Sequence, residues 1–218
     1  MYYFTILWLP TTCLDKGEEC KERIKKLPKN QFTVHGLWPS YQNGSETHWC
    51  NVDNDIEIEI KDEELLDFMN KYYPGSYLSN EFIWGHEYNI HGYCYNQRNG
   101  LETNEYEYYF NKIKELYEQF NLGNMLVELY GDNIKGNKEI NRNEIQDYLE
   151  NKKFNKDTYL LVCTNITYEN NSVYTYLLEI RIRLDLKFET IGNETDVSEF
   201  DCPQKFYVYF LDKSDDIS

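Results

Sequence analysis

Long apolar runs are missing from this sequence. No segment approaches the roughly 20 consecutive apolar residues that a helix needs to cross a bilayer, so we expect no membrane insertion. The segment Met1–Trp8 has neither a basic n-region nor a small-residue cleavage site, so it predicts a strand of a mature protein. We therefore expect the signal peptide to be absent from this numbering. No internal repeat divides the chain.

Positive charge is also scarce. The chain has 22 Lys and Arg residues against 38 Asp and Glu residues, a formal net charge of −16. Proteins that bind nucleic acid tightly and without sequence preference have the opposite balance, so the composition argues against that class. It still allows an enzyme that holds one or two nucleotides locally, particularly at acidic pH, where some carboxylates are protonated. The more ordinary interpretation is a solubilising acidic surface.

The size and the hydrophobic content of the chain are those of one large domain with a core. Of the 218 residues, 41% are hydrophobic, and we predict a single domain over 1–218 with a frayed acidic tail over 212–218. Six cysteines and four Asn-x-Ser/Thr acceptor sites favour an oxidising, glycosylating compartment. The acceptor residues are Asn43, Asn165, Asn170 and Asn193.

Four segments in the middle of the chain have the apolar periodicity of amphipathic helices. Asn104 with Glu107, and Asn141 with Glu144, have the spacing of a capping box at two of the helix starts. Gly131 predicts the end of another helix. The predicted helices cover 62–73, 104–120, 122–130 and 141–149.

The clearest strand lies near the C-terminus. From Tyr174 to Phe188 apolar residues alternate with charged ones, which predicts a strand with one buried face and one wet face. Shorter β-type runs occur at 2–8, 32–34, 158–163 and 206–211. Because strands flank a largely helical middle, we predict an α+β fold with a mainly antiparallel central sheet.

Two short segments contain three of the four histidines. Val34–Pro39 contains His35, and Trp84–Cys94 contains His86 and His91. Because imidazole titrates near neutral pH, two histidines beside one substrate serve as proton donor and proton acceptor. In a regular helix, residues five apart lie about 140° apart, whereas a zinc-binding pair needs a spacing of four. The pattern therefore favours acid–base chemistry without a metal.

Both segments resemble the active-site motifs of the ribonuclease T2 family of secreted acid endoribonucleases. The first motif matches fully, over His35-Gly36-Leu37-Trp38-Pro39. The second motif is matched at Trp84, His86, Glu87, His91, Gly92 and Cys94, and the sequence departs from it at Tyr88, Ile90 and Tyr93. The similarity covers most of the chain, and it includes 8–13, 50–51 and 72–74.

This resemblance implies metal-free cleavage of single-stranded RNA through a 2′,3′-cyclic phosphate, with no cofactor. DNA would not react, because it lacks the attacking 2′-hydroxyl. His91 would be the general base and His35 the general acid, while His86 binds the phosphate and Glu87 organises charge around the transition state. The aromatic residues that would contact base or ribose, unless they only pack in the core, are Trp38, Trp84 and Tyr88.

Ile90 stands where the family has a lysine, so we hypothesise a weakened ribonuclease. A secreted binding or effector protein that kept the fold without catalysis is the alternative, and a metal-dependent hydrolase is the third possibility.

The resemblance also implies a secreted or lysosomal/vacuolar location, and we expect a monomer. Six cysteines allow fifteen pairings. Those that the resemblance implies are Cys13–Cys20, Cys50–Cys94 and Cys163–Cys202.

Overall fold

The computed structural model describes residues 1–28, 30–41, 58–102, 104–192 and 201–212. The strands are β1 (Tyr2–Leu7), β2 (Thr33–Pro39), β3 (Gly136–Asn141), β4 (Tyr159–Thr167), β5 (Val173–Leu184) and β6 (Lys205–Phe210). The α-helices are α1 (Leu9–Thr12), α2 (Glu18–Lys25), α3 (Glu63–Tyr72), α4 (Asn80–Glu87), α5 (Tyr93–Arg98), α6 (Tyr106–Phe120), α7 (Met125–Tyr130) and α8 (Arg142–Asn151). A π-turn, Tyr88–Gly92, joins α4 to α5.

All six strands belong to one sheet, in the order β2-β1-β5-β6-β3, with β4 also paired to β5. The pairs β1–β2, β1–β5, β3–β6 and β4–β5 are antiparallel, whereas β5 and β6 meet in a single parallel pair. The predicted α+β fold with a mainly antiparallel sheet is therefore confirmed. The long strand β5 pairs with three neighbours, so it organises the middle of the sheet.

The main core lies between one face of this sheet and the helices. Phe4 and Ile182 face it from the sheet, and Phe110 and Ile113 face it from α6. Burying a side chain of this size contributes on the order of 1.5–3 kcal/mol to folding. A second, smaller apolar cluster lies apart from the main core, and its members are Met1, Tyr3, Trp38, Leu160 and Val162. A third cluster, which includes Leu9 and Ile24, packs against Leu7 of β1 and Tyr209 of β6.

The predicted wet face of β5 is wrong. Glu179 is only 3% exposed and Arg183 only 2% exposed, because their charges are paired or hydrogen-bonded inside the protein. The strand also ends at Leu184 and not at Phe188. The backbone turns over Asp185–Phe188, and Phe188 adopts φ 66°. Alternating polarity predicted the strand, but it did not show which charged side chains have partners.

Helix ends agree with the sequence at two predicted places and differ at a third. The Asn141–Glu144 capping box is formed, and Gly131 follows α7 with a positive φ. Asn104 does not cap α6, which begins after Glu105 without a side-chain cap. Glu107 instead accepts hydrogen bonds from the backbone N–H groups of Lys61 and Asp62, at 2.7 and 3.3 Å. The sequence therefore has the spacing of a capping box, but the Glu107 carboxylate binds the backbone at the start of α3 instead of capping α6.

Two of the expected disulfides are formed, Cys13–Cys20 and Cys163–Cys202. The expected bridge from Cys50 to Cys94 lies partly outside the described residues, as do the acceptor residues Asn43 and Asn193 and the tail after Asp212. Asn165 and Asn170 are exposed. No helix in the described part of the chain is long and apolar enough to cross a membrane.

Candidate active site

A β-bulge in β2 gives His35 its position. Ile6 pairs with Val34 and Thr5 pairs with Gly36, so His35 is the extra residue between them. Val34 belongs to the main core. Because a bulge bends a strand and redirects the side chain at the bulge, His35 does not simply alternate with its neighbours. It is directed instead toward a buried carboxylate on β5.

That carboxylate belongs to Glu179. His35 Nδ1 donates to Glu179 Oε1 at 2.5 Å, and Arg181 Nε donates to Glu179 Oε2 at 2.8 Å. Burial alone lowers the pKa of His35, but the charge and hydrogen bond of Glu179 outweigh it and raise this pKa to about 9. Burial alone raises the pKa of Glu179, but His35 and Arg181 outweigh it and lower this pKa well below its usual range. The pair is therefore an imidazolium beside a carboxylate.

Trp38 connects the two histidine segments. Its Nε1 donates to Glu87 Oε2 at 3.0 Å, and its ring centroid lies 5.1 Å from that of His35 and 5.3 Å from that of His91. The ring of His91 is stacked on Trp38 at 29°, and the guanidinium carbon of Arg181 lies 4.9 Å from the Trp38 centroid. Glu87 Oε1 is 3.9 Å from His35 Nε2. Both motifs thus meet around one tryptophan.

Gly36 makes this close approach possible. A Cβ at Gly36 would collide with Trp38 Nε1 and with the carboxylate of Glu87. A larger residue would force the strand and the helix apart, because well-packed interiors tolerate little added volume. The glycine of the first motif therefore has a packing reason.

The π-turn sets the position of His91. The backbone N–H of Tyr93 donates to the carbonyl of Tyr88, five residues earlier, instead of four. The angle of about 140° that the sequence predicted between His86 and His91 assumed a regular α-helix, so it does not apply. Glu87 and His91 both reach Trp38 as a result. Among the described residues, no group of three or more His, Cys, Asp or Glu side chains is arranged to hold a metal ion.

A cleft of about 480 Å³ opens beside His35. Its polar groups include His35, His86, Glu87 and Glu179, and the rest of its wall is mainly apolar. His86 is exposed, and its ring is stacked on Phe82 with the ring planes 8° apart. The volume lies within the range typical of small-ligand sites.

Two aromatic residues that were expected to contact substrate lie in the core instead. Trp84 Nε1 donates to the carbonyl of Tyr73 at 2.7 Å, and the Tyr88 hydroxyl accepts from Asn96 Nδ2 at 2.8 Å. Both residues are almost fully buried, so neither ring is accessible to a nucleotide. Trp38 is in the site but only 5% exposed, because it packs in the second apolar cluster as well as against the catalytic candidates.

Sequence reasoning missed Glu179, Arg181 and two exposed aromatic residues of the cleft, Tyr77 and Phe82. A signal for the first two was available. Glu179 and Arg181 interrupt a strongly apolar strand with opposite charges two residues apart, which places them on the same face of the strand. The alternation predicted that these charged side chains face solvent, whereas the pair lies beside His35.

Two histidines against one tryptophan, beside a cleft on an α+β sheet, are thus the arrangement that the fold and the geometry define. The model of the Ribonuclease T2 family matches residues 1–202, and the chain belongs to this family. Human Ribonuclease T2 is 32% identical over 126 residues, which is 56% of this chain and 44% of the human protein. Ribonuclease DdI of Dictyostelium discoideum is 31% identical over 121 residues, 56% of this chain and 50% of that protein. The chain thus spans half or less of the length of these relatives.

Solved structures show the same fold. Human RNase T2 superposes with a TM-score of 0.63 at 20% identity, covering 96% of this chain and 97% of that one. Ribonuclease MC1 from the seeds of bitter gourd superposes with a TM-score of 0.65 at 21% identity, covering 94% and 97%. The described sheet and helices are therefore those of the ribonuclease T2 fold.

Proposed function

We propose that this chain is an endoribonuclease that cleaves single-stranded RNA by histidine acid–base catalysis, without a metal or cofactor. The observation that carries the proposal is the position of His35. Its Nδ1 is bonded to Glu179, its Nε2 faces Glu87, and Trp38 connects it to His91. Membership of the family supports the activity, and a mutant of RNase MC1, which has the same fold, has been crystallised with 5′-GMP.

His35 is suited to act as the general acid. The raised pKa keeps its ring protonated through neutral pH, so Nε2 carries a proton. In the proposed reaction, this proton passes to the 5′-oxygen of the departing nucleotide as the P–O5′ bond breaks. The result is a free 5′-hydroxyl group on one product.

His91 would act as the general base. It takes the proton of the ribose 2′-hydroxyl while the 2′-oxygen bonds to phosphorus, which closes the 2′,3′-cyclic phosphate on the other product. The stacking of His91 on Trp38 limits the rotation of its ring, and fixed orientation of a reacting group accounts for much of enzymatic rate enhancement. DNA is not a substrate, because it lacks the attacking hydroxyl.

His86 and Glu87 would bind the reacting phosphate and organise its charge. His86 is exposed in the cleft, where a protonated ring attracts a phosphate oxygen. Glu87 is fixed by the Trp38 hydrogen bond near His35 Nε2, where it keeps the two catalytic segments in register. Ile90, which is half-buried on the π-turn, has no charge with which to stabilise the phosphate.

Phe82 and Tyr77 at the cleft would stack on a base. Replacing Phe82 with Ala removes a stacking surface worth about 1–3 kcal/mol per base, so we expect KM for a dinucleotide to rise roughly 5- to 100-fold. Steady-state kinetics measure this change. Tyr108→Ala is the matched control, since Tyr108 is 58% exposed against 57% for Phe82 but lies outside the cleft. Equal KM values for the two variants would contradict the base contact.

The family and the disulfides also bear on location. We propose that the protein is secreted or resides in a lysosome or vacuole, because the bridges Cys13–Cys20 and Cys163–Cys202 need an oxidising environment to form. We also propose that it is a monomer. The exposed Asn165 and Asn170 are the acceptor sites on which a glycan would be found by mass spectrometry of the native protein.

The deciding experiment is cleavage of single-stranded RNA from pH 4 to pH 8, with and without a chelator, by the wild type and by His35→Ala and His91→Ala. We expect chelator-independent cleavage that yields a 2′,3′-cyclic phosphate and that falls on the order of 10²- to 10⁴-fold in each variant. Inactivation by chelator would indicate a metal-dependent hydrolase. An inactive wild type that still binds RNA would indicate a binding protein on this fold.

A further inference from the structure

Glu179 is a buried carboxylate that lies outside both histidine motifs. It sits on β5, and its side chain is only 3% exposed. An ionised carboxylate is costly to bury unless it is paired and hydrogen-bonded. Both oxygens are committed, Oε1 to His35 and Oε2 to Arg181. The sheet therefore holds a fixed negative charge directly behind one catalytic candidate.

We infer that Glu179 is a positioning residue, which holds the His35 ring so that the proton on Nε2 faces the leaving 5′-oxygen. This inference rests on the proposed function, since it assigns Glu179 a task in the same reaction. Glu179 itself touches neither substrate nor reacting atoms, and it acts through His35.

The hydrogen bond determines which nitrogen of His35 can act. An imidazole has two distinct nitrogens, and a partner that binds one leaves the other for chemistry. Glu179 occupies Nδ1 at 2.5 Å, so Nε2 remains for proton transfer. The side chain of His35 is 34% exposed and lies at a bulge, so the Nδ1 contact supplies the restraint that packing leaves incomplete.

Arg181 fixes the orientation of Glu179 in turn. Its Nε donates to Oε2, and its guanidinium lies over the ring of Trp38. A second cation at this carboxylate favours its ionised form, so Glu179 accepts the hydrogen bond of His35 without taking its proton. The chain of contacts from Trp38 through Arg181 and Glu179 to His35 is thus continuous.

Other titratable groups face His35 from several elements, and each differs from Glu179 in geometry. Glu87 on α4 is 3.9 Å from Nε2, on the side of the ring where the substrate would bind. His86, Asp15 and Lys16 line the same cleft, and His91 contacts Trp38 as His35 does. Glu179 contacts the nitrogen on the opposite side of the ring from the leaving group.

The test compares Glu179→Gln with the wild type on two substrates. One is a dinucleotide, whose 5′-oxygen must be protonated as it leaves. The other is a nucleoside 3′-(4-nitrophenyl phosphate), whose leaving group departs as an anion. We expect kcat to fall at least about 100-fold on the dinucleotide and to stay within about threefold on the aryl ester. A merely structural role would lower both rates equally and would overturn the inference.

A second readout is the pKa of His35, followed by NMR in the wild type and in Glu179→Gln. We expect it to fall in the variant, and the alkaline limb of the kcat profile for the dinucleotide to move to lower pH by the same amount. Glu189→Gln, which removes an exposed carboxylate in the turn after β5, is the control. It should change neither the His35 pKa nor the alkaline limb of the kcat profile. An unchanged His35 pKa in Glu179→Gln would overturn the inference.

Glu179→Asp tests the same point if the Gln variant folds poorly. It keeps the charge but shortens the side chain, so we expect the His35 pKa to stay raised, the dinucleotide rate to fall below the wild-type rate, and the aryl-ester rate to stay within about threefold. A dinucleotide rate for Glu179→Asp equal to the wild-type rate would contradict a positioning role. A wild type inactive on both substrates would overturn the proposed function itself, whereas an active wild type with unaffected variants would overturn only the role of Glu179.

Discussion

At the scale of single residues, the site depends on one ion pair. The pKa of His35 is raised from 6.5 to about 9, so its contribution to stability is fully present below pH 6.5 and is lost as the pH rises through 9. The pKa of Glu179 is lowered from 4.5 to about 2, so its contribution is present above pH 4.5 and is lost as the pH falls through about 2. The pair therefore stabilises the fold most between pH 4.5 and pH 6.5, where both contributions are fully present.

This pattern can be measured with the wild type and Glu179→Gln. We expect the difference in their free energies of unfolding to be largest near about pH 5.5, and to shrink when the pH is raised toward about 9. Urea titrations followed by tryptophan fluorescence give both values. A difference that does not change with pH would mean that the pair is not ionised in the folded protein.

Ile90 is the second residue whose consequence can be tested. Ile90→Lys adds a cation beside His91, where in the proposed reaction it would stabilise negative charge on the pentacovalent phosphorus, so we expect kcat to rise on the order of 10²-fold. Asn89→Lys, the same added charge on the neighbouring residue of the π-turn, is the control. An unchanged kcat would mean that another cation already serves the site, and Arg181 beside Trp38 and Lys16 in the cleft are candidates.

How far the sequence predicted the site also depends on single residues. The motifs identified His35, His86, Glu87 and His91 as neighbours, and the structure brings them to one region around Trp38 and the cleft. Glu179 could not be found in this way, because its contact with His35 spans 144 residues and belongs to no local pattern. The alternation of apolar and charged residues along a strand predicts the polarity of each face of the strand. It does not predict which group each charged side chain pairs with.

At the scale of secondary structure, the two irregularities that build the site were invisible in the sequence. A bulge and a π-turn each depart from a regular element by a single residue, which periodicity does not resolve. The regular parts were predictable, such as the capping box at Asn141 and the alternation along β5. The catalytic candidates therefore lie where sequence prediction is weakest.

The π-turn gives a prediction of its own. Deleting Asn89 would remove the extra residue and return the helix to a regular α-helical path, which would shift the His91 ring relative to Trp38. Since a misplacement of about 1 Å can cost on the order of 10²-fold in rate, we expect at least that loss in kcat with helix content retained. Kinetics with circular dichroism measure both quantities. Asn89→Ala, which keeps the chain length, should be nearly wild type, and equal losses in the two variants would contradict the role of the turn.

At the scale of the whole molecule, the two described disulfides differ in what they constrain. Cys163–Cys202 closes a loop with a sequence separation of 39, whereas Cys13–Cys20 has a separation of 7. Loop-closure entropy therefore predicts that removing the first bridge costs roughly 1–1.5 kcal/mol more than removing the second. Denaturant unfolding of the two double Cys→Ser variants gives the comparison. A larger loss for Cys13–Cys20 would indicate that native-state contacts around that bridge outweigh chain entropy.

The order of the strands was only partly predictable. The sequence indicated strands at both ends of the chain and helices between them, which correctly favoured an antiparallel sheet. It did not predict that β5 joins β1, β4 and β6, because pairing across the chain depends on packing and not on local propensity. The short strand β3, which has mostly polar residues, was missed for a similar reason.

The place of β5 in the chain has a consequence for biosynthesis. Proteins are made from the N-terminus, and both histidine motifs are complete well before β5 emerges. Until Val173–Leu184 is synthesised and pairs with β1, His35 has no Glu179 to hold it. Under the proposed reaction, a nascent chain therefore carries both histidine motifs before Glu179 is in place to orient His35 as the general acid.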